Sequence, residues 1–364
     1  MKKGVYIHIP FCNNICNYCD FCKMYYNKKW LDDYLNVLEN EIKEKYKNDI
    51  ITSIYIGGGT PTSLDLKELR KLLEITKIFK YKNIEFTCEC NIDVTIEQIK
   101  LWKEYVVNRI SVGIQSVDEN NLKLLGRFHT KKQVEEKIKL ISKYIENINI
   151  DLIYAIPNET IDTLIKDLNF LTNLPIKHIS TYSLMIEPHT KLYINNIKPI
   201  DEEIDYNMYE TIKEYLTKKG FKHYEISNYA KENYESKHNL TYWNNFNYYG
   251  FGLGASGYIE NIRYDNTTSM TKYLNEKYIE SSHELTKKEN LENEFILGLR
   301  KIEGIDKSVY KKYNIKEIKI INELLEKGLL KQNKDRIYID EDDLYISNSI
   351  LVNIIGEIDE VWCF

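Results

Sequence analysis

The sequence lacks the features that would place the protein in a membrane or on a nucleic acid. No apolar segment of the 364-residue chain approaches the ~20 residues that a membrane-spanning helix needs, and no signal peptide is recognisable. Basic residues (50) do not outnumber acidic ones (55), and the net charge is −5. We therefore expect neither a nucleic-acid surface nor a basic patch for anionic lipid. Short-period repeats and long low-complexity tracts are also missing.

The cysteines do not suggest a disulfide framework. There are seven, an odd number, and three of them form one closely spaced pattern near the start of the chain. This usage predicts a protein of the reducing cytoplasm. The chain is long enough for one large α/β domain and a smaller one.

The most informative segment is the run from Tyr6, which reads Y-I-H-I-P-F-C-N-N-I-C-N-Y-C-D-F. It places Cys12, Cys16 and Cys19 at the spacing C-x3-C-x2-C. Thiolates are soft ligands suited to iron–sulfur centres, and three of them can reach one small cluster. Since a cubane cluster needs four ligands, one iron stays open for an exogenous group. A partial zinc site and a redox pair are the alternatives.

Short β-branched runs alternate with amphipathic ones through the first half of the chain. The predicted strands are Val5–Ile9, Ser53–Ile56, Ile84–Cys88, Arg109–Ile114, Ile148–Ile153 and His178–Leu184. The predicted helices between them are Trp30–Tyr46, Asp65–Phe79, Thr95–Tyr105, Lys131–Tyr144 and Thr160–Leu171. This alternation predicts an α/β fold with a parallel sheet, either an open doubly wound sheet or a partial barrel.

The pattern changes beyond about residue 200. A helix is predicted over Ile204–Lys219, followed by an irregular aromatic stretch with a tight glycine turn at Gly250–Gly257. The tail from about Thr286 predicts helices and then a hairpin that includes Arg336–Ile339. Helices followed by a hairpin are typical of a winged-helix-like domain. No basic recognition helix accompanies them, so we interpret the tail as a lid or docking surface.

The cysteine spacing and its neighbours resemble the radical S-adenosylmethionine (SAM) superfamily. The flanks Y-I-H-I-P-F-C and Y-C-D-F are similar to the branch of oxygen-independent coproporphyrinogen III oxidases and their heme-chaperone relatives. This resemblance implies a [4Fe-4S] cluster on Cys12, Cys16 and Cys19, with SAM on the fourth iron. It also implies a partial (βα)6 barrel with a small C-terminal helical, winged-helix-like domain. The predicted division is a core at 1–200, a core extension at 201–275 and a C-terminal domain at 276–364.

The resemblance also assigns a SAM site. Its predicted members are Tyr6, Tyr18, Gly58, Gly59, Thr60, Glu89, Gln115, Arg127, Asp151 and Met185. Several follow strand-like runs, where barrel active sites are built. The sequence departs from the pattern of the relatives at two places. Ala155 replaces a common glycine, and Glu89 is followed by Cys90-Asn91-Ile92 instead of Ala-Asn-Pro, with Cys88 on its other side. Because a strand alternates its faces, the two cysteines share one face and Glu89 takes the other. We interpret them as packing residues, with an auxiliary metal site as the alternative.

Two further features separate the branches of the family. The oxidases carry a fourth cysteine two residues after the third, whereas this chain has Phe21 there and Cys22 one residue late. His238, Asn239, Tyr242 and Trp243 match the H-N-x-x-Y-W element of the heme-chaperone branch, and histidine and tyrosine can both ligate heme iron. A packed aromatic turn with a satisfied histidine is the structural alternative.

The resemblance therefore predicts a heme chaperone that binds heme as cargo and passes it to an apo-hemoprotein near the membrane. Oxygen-independent coproporphyrinogen III oxidation is the alternative, and radical processing of heme itself is a third. No catalytic residue is assigned, and whether the chain is an enzyme stays open.

Overall fold

The structure is a computed structural model that describes residues 3–315 and 318–361. The strands are β1 (Lys3–Ile9), β2 (Phe11–Cys12), β3 (Met24–Tyr25), β4 (Ile50–Gly58), β5 (Lys80–Cys90), β6 (Arg109–Gln115), β7 (Asn147–Tyr154), β8 (His178–Ser183), β9 (Lys222–Glu225), β10 (Asn228–Ala230), β11 (Tyr248–Phe251), β12 (Ser256–Ile259), β13 (Ile262–Asn266), β14 (Ile279–Glu284), β15 (Ile305–Asp306), β16 (Lys331–Gln332) and β17 (Arg336–Tyr338). The helices are α1 (Lys28–Lys45), α2 (Leu66–Ile75), α3 (Ile96–Glu104), α4 (Glu119–Leu125), α5 (Lys131–Ser142), α6 (Ile161–Thr172), α7 (Lys191–Ile194), α8 (Glu202–Lys218), α9 (Lys237–Trp243), α10 (Met270–Leu274), α11 (Lys287–Gly298), α12 (Ser308–Tyr313), α13 (Lys319–Glu326) and α14 (Ser347–Val361). No helix within these described ranges is long and apolar enough to cross a membrane.

The centre of the fold is a row of parallel strands in the order β1-β4-β5-β6-β7-β8. Helices α1, α2, α3, α5 and α6 connect them in turn. The strand order follows the chain without the reversal that defines a doubly wound sheet. The winding is that of a partial barrel, which confirms the predicted fold.

The two faces of the parallel strands differ in polarity. Alternate residues such as Ile54, Phe86 and Cys88 pack in the main apolar core. The residues between them face the other way and are polar: Ser53, Tyr55, Glu85, Thr87, Glu89, Arg109, Ser111, Asn149 and Asp151. We call the space along this polar face the lumen. Cys88 and Cys90 are both buried in the apolar core, opposite to Glu89, as predicted.

The region after α8 contains more strand than the sequence predicts. The aromatic stretch expected to be irregular forms β11 and β12, and β11 extends the sheet as a parallel neighbour of β1. Antiparallel strands β13 and β14 continue this edge, so Ile279–Glu284 pairs with the large sheet. The predicted glycine turn lies between β11 and β12, where Gly252 and Gly254 have φ angles of +96° and +69°. Glycine adopts such angles without strain.

The tail has an apolar core of its own, formed by α11 to α14 and the small sheet β15-β17-β16. The predicted hairpin is present as β16 paired with β17. Lys213 on α8 bonds to Asp342 (2.9 Å), and the Tyr345 ring packs against Tyr206 and Tyr209. These contacts hold the tail against the core. The domain boundaries given above stay a prediction.

Candidate cluster and cofactor site

A cavity of about 650 Å³ opens beside the C-terminal ends of the parallel strands. It brings together most of the predicted site: Cys12, Cys16, Tyr18, Cys19, Gly58, Gly59, Thr60, Glu89, Gln115, Arg127, Asp151 and Met185. Tyr6 and Tyr242 line a second, smaller cavity instead, and His238, Asn239 and Trp243 line neither. The sequence analysis missed Tyr55, Asn91 and Ser111, and also Tyr345 and Asn348 from the tail.

The cysteine loop is held by backbone contacts to the end of α4. Asn17 donates from its backbone to Leu125 O (2.9 Å) and from its side chain to Leu124 O (2.9 Å). The Asn14 side chain donates to Gly126 O (3.0 Å). Gly126 has a φ of +73°, and a Cβ there would lie 2.9 Å from the Asn17 side chain. The loop is therefore fixed independently of the sulfur atoms.

Two of the three cysteine sulfurs have a hydrogen-bond donor beside them that would stabilise a thiolate. Thr60 Oγ1 donates to Cys12 Sγ (3.6 Å), and Arg127 Nη1 donates to Cys16 Sγ (3.4 Å). Burial raises the pKa of the Cys12 thiol to about 11, so the free thiol stays protonated at neutral pH. Metal binding removes this proton, and the hydroxyl and guanidinium groups remain as partners for the resulting negative charge.

The glycine turn after β4 approaches the cysteine loop at backbone distance. Gly59 N donates to Ile9 O (2.8 Å), and Thr60 N donates to Phe11 O (2.8 Å). A Cβ at Gly59 would lie 2.8 Å from both of these carbonyl oxygens. Only glycine fits at this position, which explains the last glycine of the tri-glycine run.

Glu89 is held on both carboxylate oxygens. Tyr55 Oη donates to Oε1 (2.7 Å), and Gly58 N donates to Oε2 (3.1 Å). Burial raises the pKa of Glu89 to about 7. Each carboxylate oxygen has a second lone pair, so the side chain can still accept hydrogen bonds from ligand hydroxyls.

Arg127 and Gln115 both keep polar atoms without a partner at the cavity. Arg127 Nη2 donates to Asn91 Oδ1 (3.0 Å) and to Gly113 O, whereas its buried Nε makes no hydrogen bond in the described structure. The same holds for Gln115 Oε1. Gln115 follows a break in the β6–β7 pairing and has a left-handed φ of 65°. Buried polar atoms without partners beside a cavity are typical of a ligand site, and at Gln115 the strained backbone points the same way.

Asp151 meets the expectation that a buried carboxylate has partners. It accepts hydrogen bonds from Asn149 Nδ2 (2.8 Å) and Ser111 Oγ (3.3 Å). Burial raises its pKa, and the nearby Arg109 charge opposes that rise. Asp151 is thus a lumen carboxylate held mainly by neutral donors.

The smaller cavity, of about 300 Å³, lies beside β1 and the cysteine loop. It is lined by Tyr6, His8, Phe21, Cys22, Tyr242, Tyr248, Gly254 and Ser256. Phe21 lines both cavities. Cys22 faces this cavity and does not line the one that contains the three predicted ligands. Cys363 lies outside the described residues.

His238 lies inside the lumen, and both of its ring nitrogens are engaged. Nδ1 is 3.0 Å from Ser53 Oγ, and Nε2 is 2.7 Å from the Tyr242 hydroxyl. Burial and the Arg109 charge lower the pKa of His238 to about 3, which keeps the ring neutral. Direct ligation of heme iron by His238 therefore requires the loss of one of these hydrogen bonds.

The motif residues do not surround a single cavity. Tyr242 faces the smaller cavity, whereas Trp243 packs 6.0 Å from the Arg300 guanidinium. Asn239 lies in the first turn of α9, where its backbone N donates to Ser236 Oγ (3.3 Å). This arrangement corresponds to the structural alternative given in the sequence analysis, in which the hydrogen bonds of the histidine are satisfied within the protein.

Comparisons with known proteins agree with the fold. The model of the radical SAM superfamily matches residues 6–171. The structure of coproporphyrinogen III oxidase (HemN) from Escherichia coli aligns with a TM-score of 0.84 at 18% identity, over 99% of this chain and 90% of that chain. This likeness shows the shared fold.

Relatives of higher identity come from one family. The chain is 36% identical to the heme chaperone HemW of Bacillus subtilis, over 98% of this chain and 100% of that protein. It is 38% identical to the heme chaperone HemW of Lactococcus lactis, over 96% of each chain. The chain belongs to the HemW family of heme chaperones, within the radical SAM superfamily.

Proposed function

We propose that this protein is a cytoplasmic heme chaperone that binds a [4Fe-4S] cluster, SAM and heme and delivers the heme to an apo-hemoprotein. The observation that carries the proposal is its similarity, along nearly the whole chain, to heme chaperones of two bacteria. The Phe21 side chain at the position of the oxidases' fourth cysteine supports it as well.

In this proposal Cys12, Cys16 and Cys19 would hold the cluster, and the cluster would supply the binding site for the amino and carboxylate groups of SAM. The thiols line one cavity and have donors beside two of the sulfurs. The loop that carries them is held against the end of α4 by the Asn14 and Asn17 side chains, so the three cysteines belong to one anchored segment.

SAM would occupy the larger cavity. Gly58, Gly59 and Thr60 line it, and Glu89 would accept hydrogen bonds from the ribose hydroxyls. Arg127 and Gln115 supply the unpartnered Nε and Oε1 atoms. Tyr18, Asp151 and Met185 complete the wall, and Tyr6 lies behind it, next to Tyr55.

Heme would bind at the smaller cavity, against Tyr242. The cavity is aromatic and adjoins the cysteine loop, so a porphyrin edge there lies beside the cluster region. His238 supports this site by bonding to the Tyr242 hydroxyl. Asn239 and Trp243 belong to the same helix, α9, and their contacts help to hold this helix in place.

Heme titration under anaerobic conditions tests the proposal. We expect cluster-loaded wild type to bind one heme, and both His238→Ala and Tyr242→Phe to bind it more weakly, as followed by the Soret absorption. Tyr273→Phe is the matched control, because Tyr273 is a buried tyrosine that bonds to Glu41. The loaded protein should then pass heme to an apo-b-type cytochrome. Failure of wild type to bind heme would contradict the proposal, and protoporphyrinogen formed from coproporphyrinogen would replace it with the oxidase activity.

The cluster assignment has its own test. Replacing Cys12, Cys16 or Cys19 with Ala should abolish the visible absorption of the cluster and its iron content, because each removes one of three ligands. Cys88→Ala is the control, since Cys88 is buried in the apolar core. Full iron in any of the three variants, or loss of iron in Cys88→Ala, would contradict the assignment.

A further inference from the structure

Tyr55 lies between the larger cavity and the heme motif. Its hydroxyl donates to Glu89 Oε1 (2.7 Å), and its side chain lines the larger cavity. Its ring also stacks on the His238 imidazole, with centroids 5.1 Å apart and 29° between the planes. Through its hydroxyl, Tyr55 therefore contacts Glu89, which is proposed to bind SAM. Through its ring, it contacts His238, which is proposed to support the heme site.

A series of contacts leads on from His238 to the smaller cavity. His238 Nε2 is 2.7 Å from the Tyr242 hydroxyl, and the two rings meet edge to face at 4.9 Å. Tyr242 in turn packs edge to face on Tyr248 at 4.6 Å, and both line the smaller cavity. A displacement of His238 therefore moves or releases Tyr242.

The residues of strand β4 that take part in this connection lie on one face of the strand. Ser53, Tyr55 and Gly57 alternate along its inner side, and Ser53 Oγ holds His238 Nδ1 at 3.0 Å. A Cβ at Gly57 would lie 2.7 Å from the Glu89 carboxyl carbon and 2.8 Å from the Tyr55 ring. The glycine thus allows Tyr55 and Glu89 to meet.

We infer that Tyr55 is a positioning residue that couples SAM binding in the larger cavity to heme binding at the smaller one. This inference rests on the proposed function. Ligand hydroxyls on Glu89 restrain the carboxylate and, through it, the Tyr55 ring on which His238 stacks. Heme then binds to a Tyr242 that is already ordered, so less conformational entropy is lost. The coupling is reciprocal, and heme tightens SAM by the same factor.

The test compares the dissociation constant of heme with and without saturating SAM in cluster-loaded wild type, Tyr55→Phe and Tyr249→Phe. In wild type, SAM should tighten heme binding about fivefold or more, the lower end of usual coupling. Tyr55→Phe keeps the ring and loses the bond to Glu89, so this ratio should fall to about one. The ratio, rather than either dissociation constant alone, is the readout, because it separates the coupling from any change in the affinity for heme itself.

Tyr249→Phe is the matched control. Tyr249 is a buried tyrosine whose hydroxyl donates to Asp49 Oδ2 (2.5 Å), and it packs in the main apolar core. Its ratio should equal that of wild type, and the cluster absorption should be the same in all three proteins. An unchanged ratio in Tyr55→Phe, or an equal loss in Tyr249→Phe, overturns the inference. If wild type binds heme equally well with and without SAM, the inference is overturned and the proposed function is supported. If wild type binds no heme, both are overturned.

Discussion

Val106 holds a backbone conformation that suits glycine. It follows α3 with a φ of 57°, and its backbone N bonds to Lys103 O (3.4 Å) in the turn that ends the helix. The side chain is 49% exposed, so it buries little apolar area. A β-branched residue in the left-handed region is strained by about 1–2 kcal/mol.

Val106→Gly should therefore stabilise the protein. We expect the free energy of unfolding to rise by about 1 kcal/mol, because strain is relieved while glycine adds some entropy to the unfolded chain. Urea unfolding of the cluster-free protein measures this change. Val352→Gly in α14 is the control, since the same substitution within a helix should destabilise by a few tenths of a kcal/mol or more. A lower stability for Val106→Gly would contradict the strain argument.

The burial of His129 makes the free energy of unfolding depend on pH. A single variant can isolate this dependence. Its Nε2 lies 3.2 Å from Ser116 O, and burial, aided by the Arg127 charge, lowers its pKa from 6.5 to about 4. The folded state therefore keeps the ring neutral while the unfolded state takes up a proton. The contribution of the neutral His129 ring to the free energy of unfolding is complete above pH 6.5 and is lost as the pH falls towards 4.

His129→Gln keeps a donor for Ser116 O and cannot titrate. The unfolding free energy of wild type minus that of the variant should fall by up to about 3 kcal/mol between pH 6.5 and 4. Urea unfolding at several pH values measures this difference, in which other titrating groups cancel. A difference that is constant across the interval would contradict a buried neutral histidine.

At the scale of elements, α2 begins with a capping box formed by Asp65 and Glu68. The Asp65 carboxylate accepts from Lys67 N (2.8 Å) and Glu68 N (2.9 Å), and Glu68 Oε2 accepts from Asp65 N (2.7 Å). Asp65→Ala should lower the free energy of unfolding by about 1 kcal/mol. Asp33→Ala within α1 should change it by less than about 0.5 kcal/mol, because Asp33 is an exposed residue inside a helix. Equal effects of the two substitutions on urea unfolding would show that the cap is unimportant.

The parallel strands were predictable because their alternation lies within single segments. β6 agrees with its prediction to one residue, whereas β5 begins four residues before Ile84. Strands β9 to β14 were missed because they are short, and some of them pair with segments that only the fold brings near. β11, for example, pairs with β1, which precedes it by more than 200 residues.

The candidate site was predictable to the same extent. Residues at strand ends, such as Glu89, reach the larger cavity because parallel strands end at one edge. The departure noted at Ala155 is also physical, since its φ of 57° favours the glycine of the relatives. The direction of His238 was not predictable, because α9 inserts it into a lumen formed by strands far away in the chain.

At the scale of the whole molecule, the tail forms part of the wall of the larger cavity. Tyr345 and Asn348 line it together with the cysteines, although more than 300 residues separate them in the sequence. Tyr345 is held by edge-to-face contact with Tyr206 (5.2 Å) and by packing on Tyr209 (5.3 Å). The interpretation of the tail as a lid therefore has a specific contact to test.

Tyr345→Ala should leave the cluster in place and make it more accessible. The substitution removes an aromatic side chain from the cavity wall and from its contacts with α8, so dioxygen reaches the cluster sooner. We expect the visible absorption of the cluster to bleach several-fold faster in air than in wild type, about the effect of opening a site that otherwise excludes solvent. Tyr313→Ala is the control, because Tyr313 packs against the apolar core of the tail and does not line the cavity. If both variants bleach at the same raised rate, general loosening of the tail is the cause; if neither differs from wild type, Tyr345 does not shield the cluster.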